Sequence, residues 1–522
     1  MFYISFFPKP YYIISILLRV LALLIFVLYS VDYLVIANFN THLVFNDAIK
    51  YSSYSFKYIS QISNKKIIAA IIAIIIMTGF MLLIVFLRGR IRSKIFHITY
   101  IFLIINLLLT SRLKQNDSYV HSWIYKDFIS YNLTILSESK LYSADFVENF
   151  EFSDELHCSS KIAYKKNFII LMVESLSSYQ SAFFSGIKDW TPQIDTIAAN
   201  NIAFKDFYAN GFTTEDGEVA LLLGKIPIRA PATYSDGGGS SFTGFYYDVT
   251  RTLPNILKSK GYVSEFLTTA DLMFSNTDIF AKNIGFDYIE GHEHPYYDNW
   301  DRSHFKAAPD EALYHRALSR IEKNKGNNFF VFIKTVSTHV PYINPETKHS
   351  SEAETFLYAD KQIGLFYKEL LNIGFFNNGI LIIVGDHRAM IPLKEKEIEQ
   401  FGALKAAAIV PLIISYGDAI RSIEDKPYQQ IDVFNGIKNL VSNTECSSDW
   451  VGDVLAYDKK SPKYIAHRRG DNRDIISVFS TKNSYLIKLD GDKTRITSDN
   501  NLDKIISDNL VNKINFSRIH KK

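Results

Sequence analysis

Two carboxylates and two imidazoles follow apolar runs of this sequence, at the point where each run ends. Glu174 follows FIILMV, His339 lies in the KTVSTHVPY stretch after FFVFI, and Asp386-His387 come shortly after GILIIV. Short continuous apolar runs are typical of buried parallel strands, and ligands bind where the carboxyl ends of such strands share one edge. Because carboxylates and imidazoles bind divalent ions such as Zn²⁺ or Mn²⁺, these two carboxylates and two imidazoles predict a metal site.

A hydroxyl that could act as a nucleophile lies in the segment NGFTTEDGE at residues 210–218. Thr213 or Thr214, with acids three or four residues later, fits the ordinary structural role of an N-cap with a capping box. The same position would also present a Thr hydroxyl to a metal, where it becomes a competent nucleophile without a partner histidine. From these residues alone both roles stay open, as do a helix-start carboxylate for Glu174 and a plain turn for Asp386.

The composition indicates two different parts within 522 residues. With 48% hydrophobic and 21% charged residues and a mean hydropathy of +0.01, the chain is too apolar for disorder and too polar for a protein wholly inside a membrane. The net charge of +3 lacks the basic excess of a nucleic-acid binder, so no nucleic-acid partner is expected. The two cysteines, Cys158 and Cys446, exclude a Cys-rich zinc module and leave one long-range disulfide or two free thiols open.

Apolar segments near the N-terminus predict a transmembrane stem of about three helices. Residues 67–87 carry no charge over 21 positions, which is enough to cross the hydrocarbon core. Residues 14–36 and 95–111 are the other predicted spans. Basic residues cluster at 88–94, between the second and third spans, and the positive-inside rule places that cluster in the cytoplasm. Everything after about residue 112 is then expected outside the cytoplasm.

The rest of the chain predicts an α/β fold. Residues 113–164 are expected to form a juxtamembrane connector, and residues 165–455 a catalytic domain with a mostly parallel sheet between layers of helices. Its predicted strands are the runs FIILMV, FFVFI, GILIIV and VPLII, and its helix-like segments lie at 191–200, 251–260, 310–323 and 352–371.

Residues 456–522 predict a small C-terminal antiparallel subdomain. Apolar and polar residues alternate there, and an LDGD turn is typical of a β-hairpin. The basic HRR at 467–469 predicts a solvated hairpin face, with contact to an anionic acceptor as the alternative. Residues 1–114 hold twelve Lys or Arg and two Asp, a charge of +10, so +3 minus +10 leaves −7 for the remainder. Phosphate binding there would depend on a metal and a few placed groups.

The ordered motifs resemble the lipoteichoic acid synthase and phosphoglycerol transferase branch of the sulfatase-like alkaline phosphatase superfamily. The match runs over roughly residues 165–440 and consists of ILMVES, TPQIDTIAANNIAFKDFYANGFTTEDGE, LPNILKSKGY, GFDY, STHVPY and IVGDHR. The resemblance implies a catalytic domain on the extracytoplasmic, periplasmic side of a bacterial plasma (inner) membrane. It implies transfer of a phosphoglycerol-type head group from a membrane phospholipid to a glycan or lipid acceptor, through a phospho-threonine. One divalent ion is expected, Mn²⁺ first, with Zn²⁺ or Mg²⁺ as alternatives.

The resemblance also assigns roles to individual residues. The family's metal-binding Glu falls on Glu174 and its Asp-His pair on Asp386 and His387. The family's nucleophilic Thr begins a T-x-D-x-E pattern, which falls on Thr214, also a metal ligand; Thr213 is the alternative nucleophile.

One further role carries over, and one element departs from the family. The His of the family's H-x-P-[FY] element falls on His339, which would hold phosphoryl oxygens or protonate a leaving alkoxide; a His bonded to a backbone carbonyl is the alternative. The family's W-N-R-D element, whose Trp and Arg contact glycerol phosphate, corresponds here to FSNTD at 274–278. Trp300 and Arg302 are candidate substrate-binding replacements, and a surface loop with a buried Trp is the alternative.

Three other functions compete with phosphoglycerol transfer. A phosphoethanolamine transferase acting on lipid A or a glycan shares the stem, the metal and the Thr nucleophile. A sulfatase-like hydrolase is disfavoured because its formylglycine precursor needs C-x-P-x-R or S-x-P-x-R, whereas Cys158 and Cys446 lie in CSSKI and CSSDW. An inactive ectodomain that binds a cell-envelope polymer is the alternative from a different class.

Overall fold

A computed structural model describes most of the chain beyond residue 141. The described ranges are 142–160, 166–228, 250–417, 420–456, 460–472, 474–497 and 503–519, with scattered positions before residue 133. Of the predicted spans, 95–111 lies outside the described residues, 67–87 is described only at residue 79, and 14–36 is described only at residues 24–25 and 27–33. Among the positions that are described, no helix has the length and apolarity needed to cross a membrane.

The chain divides into two compact units, Met1–Phe45 with Ile62–Thr134 and Asn46–Gln61 with Ile135–Lys522. In the first unit, Asn132 bonds two backbone positions: its Nδ2 donates to Leu43 O at 2.9 Å and its Oδ1 accepts from Phe45 N at 2.9 Å. The ring of Phe128 packs edge-on against Phe45. Everything described below belongs to the second unit.

The second unit alternates strands with helices over most of its length. Its described strands are β1 (His157–Ser160), β2 (Asn167–Val173), β3 (Ile202–Phe204), β4 (Phe207–Tyr208), β5 (Tyr262–Thr268), β6 (Tyr288–Glu290), β7 (Asn328–Lys334), β8 (Gly379–Gly385), β9 (Leu412–Tyr416), β10 (Ser422–Glu424), β11 (Tyr428–Gln429), β12 (Thr444–Ser447), β13 (Ile465–Arg468), β14 (Ile475–Phe479), β15 (Ser484–Lys488) and β16 (Arg495–Ile496).

The described α-helices are α1 (Ala144–Asn149), α2 (Pro192–Asn200), α3 (Thr214–Leu223), α4 (Leu253–Ser259), α5 (Thr277–Asn283), α6 (Asp310–Lys323), α7 (Glu352–Asn372), α8 (Glu395–Phe401), α9 (Ala403–Ala406), α10 (Gln430–Ser442) and α11 (Lys504–Arg518). The four helix-like segments predicted from sequence are confirmed as α2, α4, α6 and α7. Their starts have local causes: Pro192 and Pro254 stand in the first turns of α2 and α4, where the fixed φ of proline suits a helix. The hydroxyl of Ser351 caps α7 by accepting from Glu354 N at 3.3 Å.

The large sheet has the strand order β10-β3-β9-β8-β2-β7-β5-β6. Neighbouring strands pair in parallel except that β9 pairs antiparallel with both β3 and β8. The sheet is therefore mostly parallel, as predicted, but the run VPLII was expected to be a parallel strand and forms the antiparallel β9. A continuous apolar run indicates that both faces of a strand are buried, but it does not indicate the direction of the strand. This explains why the direction of β9 was predicted wrongly.

The centre of the sheet is β2, whose residues after Asn167 are all buried. It pairs in parallel with β7 on one side and β8 on the other. Phe168, Ile170 and Met172 enter the core cluster from one face of this strand. Burial on both faces accounts for the unbroken apolar sequence and fixes the position at which the strand ends.

A second, antiparallel sheet has the order β13-β14-β15-β16, and β15 and β16 are joined through the predicted LDGD turn, where Gly491 has a φ of 55°. The antiparallel arrangement of the C-terminal stretch is thus confirmed. Cys158 on β1 faces Cys446 on β12 in antiparallel register and forms a disulfide with it, which settles the open choice between paired and free thiols. The domain boundaries at residues 112, 164 and 455 stay predictions.

Candidate active site

The carboxyl ends of β2, β7 and β8 bring the predicted residues together. In register, Val173 lies opposite Gly385 on β8, and Met172 lies opposite Lys334 on β7. Glu174 therefore leaves the sheet between the segments that carry His339 and Asp386. Its backbone is held there from the β7 side, because Glu174 N donates to Thr335 Oγ1 at 2.9 Å.

Four side chains form a compact cluster at this edge. The hydroxyl of Thr214 donates to Glu174 Oε2 at 3.1 Å and lies 3.4 Å from His387 Nε2. His387 Nε2 lies 3.2 Å from Asp386 Oδ2 and 3.7 Å from Glu174 Oε1. Glu174 is 4% exposed, while Asp386 and His387 are fully buried. The structure thus brings the predicted metal ligands and the predicted nucleophile within direct contact distance.

The hydrogen bonds around the cluster leave one atom of His387 and one of Asp386 available to bind an ion. His387 Nδ1 lies 2.9 Å from Arg388 O, so it carries the proton and the neutral ring has its lone pair on Nε2. Asp386 Oδ1 accepts from Ser175 N and His387 N, both at 2.7 Å. Its Oδ2 accepts no hydrogen bond from any described residue. A buried carboxylate oxygen without such a bond is suited to bind a cation.

A divalent ion fits this set of donors. One ligand atom each from Glu174, Asp386 and His387 lies within 4.8 Å of the others. Two carboxylates and an imidazole form a hard, oxygen-rich site of the kind that Mn²⁺, Zn²⁺ or Mg²⁺ occupies. Ser175 Oγ donates to Glu174 Oε1 at 2.9 Å, and such outer contacts orient ligands around a metal.

The pKa values of the cluster follow from burial and from mutual charge. Burial, together with the negative charge of Asp386, raises the pKa of Glu174. Burial alone would raise the pKa of Asp386, but the positive charge of His387 and the bonds that it donates lower it overall. Burial lowers the pKa of His387, yet Asp386 and Glu174 outweigh burial and raise it to about 10. A proton on His387 therefore neutralises part of this negative charge when no metal does.

The start of α3 separates the two threonine candidates. Thr213 is the N-cap, and its side chain accepts from Asp216 N at 3.2 Å. Thr214 is the first residue of the helix, and its hydroxyl points into the cluster instead. Gly217, one turn later in α3, allows the helix to lie close to Asp386, because a Cβ at this position would lie 2.7 Å from Asp386 O.

The acids that follow Thr214 are each bonded by a different part of the fold. Glu215 accepts a short hydrogen bond from the hydroxyl of Ser275. Asp216 Oδ1 lies 2.8 Å from Arg468 Nη1 on β13, and Glu218 Oε1 lies 2.6 Å from Lys334 Nζ at the end of β7. These contacts fix α3 from three directions and so hold Thr214 in place. The partner side chains are Ser275, Arg468 and Lys334.

Sequence reasoning missed these three partners. Lys334 had a usable signal, since it directly follows the run FFVFI at the predicted edge. Arg468 pairs with Asp216 across 252 residues, and no local pattern reports such a contact. The prediction that HRR forms a solvated hairpin face is wrong: His467, Arg468 and Arg469 are at most 3% exposed.

The burial of HRR has a specific cause. Strand β13 lies against the segment that leads into Thr213 and Thr214, because Arg468 N donates to Asn210 O and Asn210 Nδ2 donates to Ala466 O, each at 2.8 Å. The His467 ring adds a third bond, from Nδ1 to Ala209 O at 2.8 Å. The C-terminal sheet therefore packs directly on the turn that presents Thr214.

His339 stands beside the cluster and is half-buried. The residue before it, Thr338, is bonded to Glu174, because its hydroxyl donates to Glu174 O at 2.5 Å. Nδ1 lies 2.6 Å from Val340 O, and the ring contacts Phe305 edge-on at 4.8 Å between centroids. The predicted alternative, a bond to a backbone carbonyl, thus occupies Nδ1, and Nε2 has no hydrogen-bond partner among the described residues.

Trp300 and Arg302 have contacts of their own within their loop. Trp300 packs against a buried cluster that includes Tyr297 and Ala308. Arg302 Nη1 donates to His292 O at 3.0 Å and to Lys306 O at 3.2 Å. These contacts match the alternative of a surface loop with a packed Trp, and a role in substrate binding stays a prediction. The FSNTD segment itself reaches α3, through the bond from Ser275 described above.

The sheet and the cluster define a class of protein. The family model described as Sulfatase matches residues 166–442, more than half of the chain. The chain therefore belongs to the sulfatase family. Proteins of this superfamily depend on a metal ion, in agreement with the cluster of ligands.

Two solved structures share the fold. A protein of the alkaline phosphatase superfamily from Vibrio parahaemolyticus is 20% identical, covering 74% of this chain and 93% of its own, with a TM-score of 0.52. The lipoteichoic acid synthase LtaP from Listeria monocytogenes is also 20% identical, covering 72% of this chain and 94% of its own, with a TM-score of 0.53.

Curated relatives indicate which branch of the family this chain resembles. Phosphoglycerol transferase I of Escherichia fergusonii is 26% identical over 251 residues, 43% of this chain and 31% of that protein. The protein of the same name from Escherichia coli O139:H28 is 26% identical over 250 residues, again 43% of this chain and 31% of that protein. The match spans about a third of these relatives' length. The resemblance to the lipoteichoic acid synthase and phosphoglycerol transferase branch is confirmed.

Proposed function

We propose that this chain is a membrane-anchored, metal-dependent phosphotransferase. It moves a phosphoglycerol-type head group from a phospholipid to an extracytoplasmic glycan or lipid acceptor through a phospho-Thr214 intermediate. The observation that carries the proposal is the contact between the Thr214 hydroxyl and a buried set of metal ligands, at 3.1 Å from Glu174 and 3.4 Å from His387. The phosphoglycerol head group is supported by the names of the relatives.

In the first half-reaction Thr214 Oγ1 attacks the phosphorus of the lipid head group. A new O–P bond forms while the P–O bond to diacylglycerol breaks, with the two oxygens in line. The diacylglycerol oxygen takes a proton from His339, and the proton of the Thr214 hydroxyl passes to solvent water. Glu174 orients the hydroxyl beforehand by accepting its hydrogen bond.

The ligands prepare this step by their fixed orientation. When bound to Glu174, Asp386, His387 and Thr214, a divalent ion would lower the pKa of the threonine hydroxyl and neutralise phosphoryl charge. Asp386 is held by two backbone N–H groups, and the His387 ring is held by Arg388 O. Little reorganisation is then needed when charge develops on the phosphoryl oxygens.

In the second half-reaction the acceptor hydroxyl attacks the same phosphorus. The bond between phosphorus and Thr214 breaks, and the threonine oxygen takes a proton back from solvent water. His339, deprotonated in the first half-reaction, now takes the proton of the acceptor hydroxyl. The product carries the head group on the acceptor, and the protonation states of Thr214 and His339 return to their starting point.

The proposal also includes the cellular location of the catalytic domain. A lipid donor cannot leave the bilayer, so an anchor at the predicted spans 14–36, 67–87 and 95–111 would keep the site beside it. The disulfide between Cys158 and Cys446 supports a location outside the cytoplasm, where such bonds persist. We therefore assign the catalytic domain to the periplasmic side of a bacterial inner membrane.

Mass spectrometry of the full chain tests the proposal. The protein, in detergent with Mn²⁺, would be mixed with phosphatidylglycerol or phosphatidylethanolamine, quenched in acid and digested. We expect a glycerophosphate ester on Thr214, none in Thr214→Ala, and an unchanged adduct in Thr213→Ala. A Thr214 that stays unmodified during turnover would overturn the mechanism.

The same experiment decides between the head groups. The Trp and Arg of the family's W-N-R-D element are absent from FSNTD at 274–278, and this absence favours phosphoethanolamine as the second candidate. An ethanolamine-phosphate adduct, formed from phosphatidylethanolamine alone, would establish that alternative. If Thr214→Ala and Asp386→Ala both kept full biological function, the chain would instead be a binding protein.

A further inference from the structure

One buried glutamine bonds to both segments that carry the predicted metal ligands and nucleophile. Gln430 is the first residue of α10 and is fully buried. Its Nε2 donates to Gly385 O at 2.9 Å and to Asp386 O at 2.7 Å. Its Oε1 accepts from Asn210 N at 3.0 Å, in the turn that leads into α3. A single side chain therefore joins the end of β8 to the segment that presents the nucleophile.

The partners of Gln430 determine which way its amide faces. The two carbonyl oxygens on one side can only accept a hydrogen bond, and the Asn210 N–H on the other side can only donate one. If the amide were reversed, oxygen would face oxygen on one side and N–H would face N–H on the other. The orientation of the amide is therefore fixed by the backbone around it.

The two carbonyls that Gln430 binds belong to consecutive residues. In a regular strand, successive carbonyls point to opposite sides of the strand, so one amide does not reach both of them. The backbone at Gly385 and Asp386 therefore departs from regular strand geometry. The two hydrogen bonds stabilise this departure at the position where the metal-ligand pair Asp386 and His387 begins.

The hydrogen-bonding atoms of Asp386 are held from several sides. Its carbonyl accepts from Gln430 and lies against α3, where a Cβ on Gly217 would be 2.7 Å away. Its N–H donates to Val173 O at 3.3 Å, and its Oδ1 accepts from two backbone N–H groups. Oδ2 forms no hydrogen bond with a described residue. The contacts to the other atoms therefore fix the direction in which Oδ2 points.

We infer that Gln430 is a positioning residue for the transfer reaction. It holds the backbone of Asp386, and with it the ligand oxygen, at a set place relative to the turn that presents Thr214. The inference rests on the proposed transferase function and adds a residue that acts through the backbone of a ligand. Residues that hold metal ligands in place change metal affinity or activity about 10- to 100-fold when they are replaced.

Gln429 provides a matched control, because it is adjacent in sequence and also fully buried. Its Oε1 accepts from Asn210 Nδ2 at 2.6 Å, and its Nε2 donates to Trp450 O at 2.7 Å. Neither bond reaches residues 385–387. Replacement of either glutamine by methionine removes a buried, hydrogen-bonded amide of similar size, so both variants should have a lowered melting temperature.

Calorimetric titration of Mn²⁺ into the full chain in detergent tests the inference separately from catalysis. We expect Gln430→Met to weaken Mn²⁺ binding at least about tenfold and Gln429→Met to bind Mn²⁺ like wild type. At saturating Mn²⁺, Gln430→Met should form the adduct on Thr214 at least about tenfold more slowly, with an unchanged KM for phosphatidylglycerol. Thermal melts show whether each variant is folded. If Gln430→Met does not fold, Gln430→Asn, which has the same amide on a shorter side chain, replaces it with the same expectation.

Wild-type Mn²⁺ affinity in a folded Gln430 variant, or an equal loss of affinity in Gln429→Met, would overturn the inference. A raised KM for the lipid with unchanged Mn²⁺ affinity would also overturn it, because the residue would then act on substrate binding. Absence of an adduct in the wild type would instead overturn the proposed function, and the Mn²⁺ titrations would still test the role of Gln430.

Discussion

Two groups of buried charges meet at α3 and differ in how they are arranged. On the Thr214 side, Glu174, Asp386 and His387 direct ligand atoms toward one point, and Asp386 Oδ2 accepts no hydrogen bond from a described residue. On the Asp216 side, the carboxylate is joined to Nη1 of Arg468 at 2.8 Å, while Arg468 Nε and Nη2 form no hydrogen bond with a described residue. Ligand atoms that converge around an unpartnered carboxylate oxygen indicate a cation site, whereas a carboxylate paired with a guanidinium stabilises the contact between α3 and β13. One face of α3 therefore contributes to the candidate ion site, and the other face holds the helix in place.

The largest effect is expected from Thr214 itself. Thr214→Ala removes the attacking oxygen and should lower head-group transfer at least about 1,000-fold. Thr213→Ala removes the helix cap and should lower the free energy of unfolding by about 1 kcal/mol with transfer largely kept. Lipid-transfer rates and thermal melts of both variants would check the difference. Comparable activity losses in the two variants would contradict the assignment of Thr214.

Removal of the metal should have the next largest effect. A chelator should abolish adduct formation, and Mn²⁺ should restore it more fully than Zn²⁺ or Mg²⁺. Asp386→Asn should lose the bound ion, as measured by elemental mass spectrometry, because it removes one of two anionic ligands.

A matched control for this variant is Asp360→Asn. Asp360 is also a buried carboxylate, but it accepts from Gln193 N and Ile194 N at the start of α2. It should lose stability and keep the ion. Retention of a full complement of metal by Asp386→Asn would mean that the open carboxylate oxygen is not a ligand.

Substitutions in the pair of Asp216 and Arg468 should change stability, as expected for a structural contact. Arg468→Met leaves Asp216 as a buried, uncompensated charge and should lower the free energy of unfolding by about 3–5 kcal/mol. The double variant with Asp216→Asn should recover part of that loss, because no unpaired charge remains. Thermal melts of the two single variants and the double variant measure this coupling. Strict additivity would show that the pair does not join β13 to α3.

The pH dependence of stability provides a smaller effect from the same region. Burial lowers the pKa of His467 to about 4, although its bond to Ala209 O opposes the shift. Since an unfolded histidine titrates near 6.5, the unfolded chain binds one more proton between about pH 4 and 6.5. Stability should therefore fall as the pH drops through that window, by about 1.4 kcal/mol per unit from this group.

His467→Asn keeps a donor and removes the titration. The difference in melting temperature between this variant and wild type should therefore shrink as the pH is lowered from 6.5 to 4.5. A difference that stays constant with pH would refute the burial of a neutral His467.

The smallest effect is expected at the loop that contains Arg302. Its guanidinium is exposed and bonds to two carbonyls of its own loop. Arg302→Ala should change the donor KM less than tenfold, in contrast to the loss at Thr214. A larger rise in KM, with an unchanged melting temperature, would establish the substrate contact proposed for Arg302.

The sheet edge was predictable from sequence for a physical reason. A strand buried on both faces must be continuously apolar, so the first charged residue after it marks the edge, as Glu174 does after β2. The order of the strands and the direction of β9 were not predictable, because an apolar run looks the same in either direction. Local sequence alone does not choose between Thr213 and Thr214, since both residues suit the start of a helix, and the expectation of Thr214 came from the family's T-x-D-x-E pattern.

The contact from the C-terminal sheet was not predictable for a different reason. Alternating residues in β13 and β14 indicate that one face is covered, but the covering segment can come from anywhere in the chain. Here it is the turn at 209–210, and the buried face includes Arg468. A buried guanidinium paired across 252 residues leaves no local trace in the sequence.

The disulfide gives the chain a mechanical property. Cys158 and Cys446 are 288 residues apart, so the chain between them is a closed covalent ring. Glu174, Thr214, His339 and Asp386 all lie inside the ring, whereas Arg468 lies outside it. A pull applied to the two ends of the chain passes from one sulfur to the other, and the ring carries no tension until the bond is reduced. The covalent backbone that carries the active-site residues is thereby bypassed, whereas a pull on the C-terminal end would still load the bonds between β13 and the turn at 209–210.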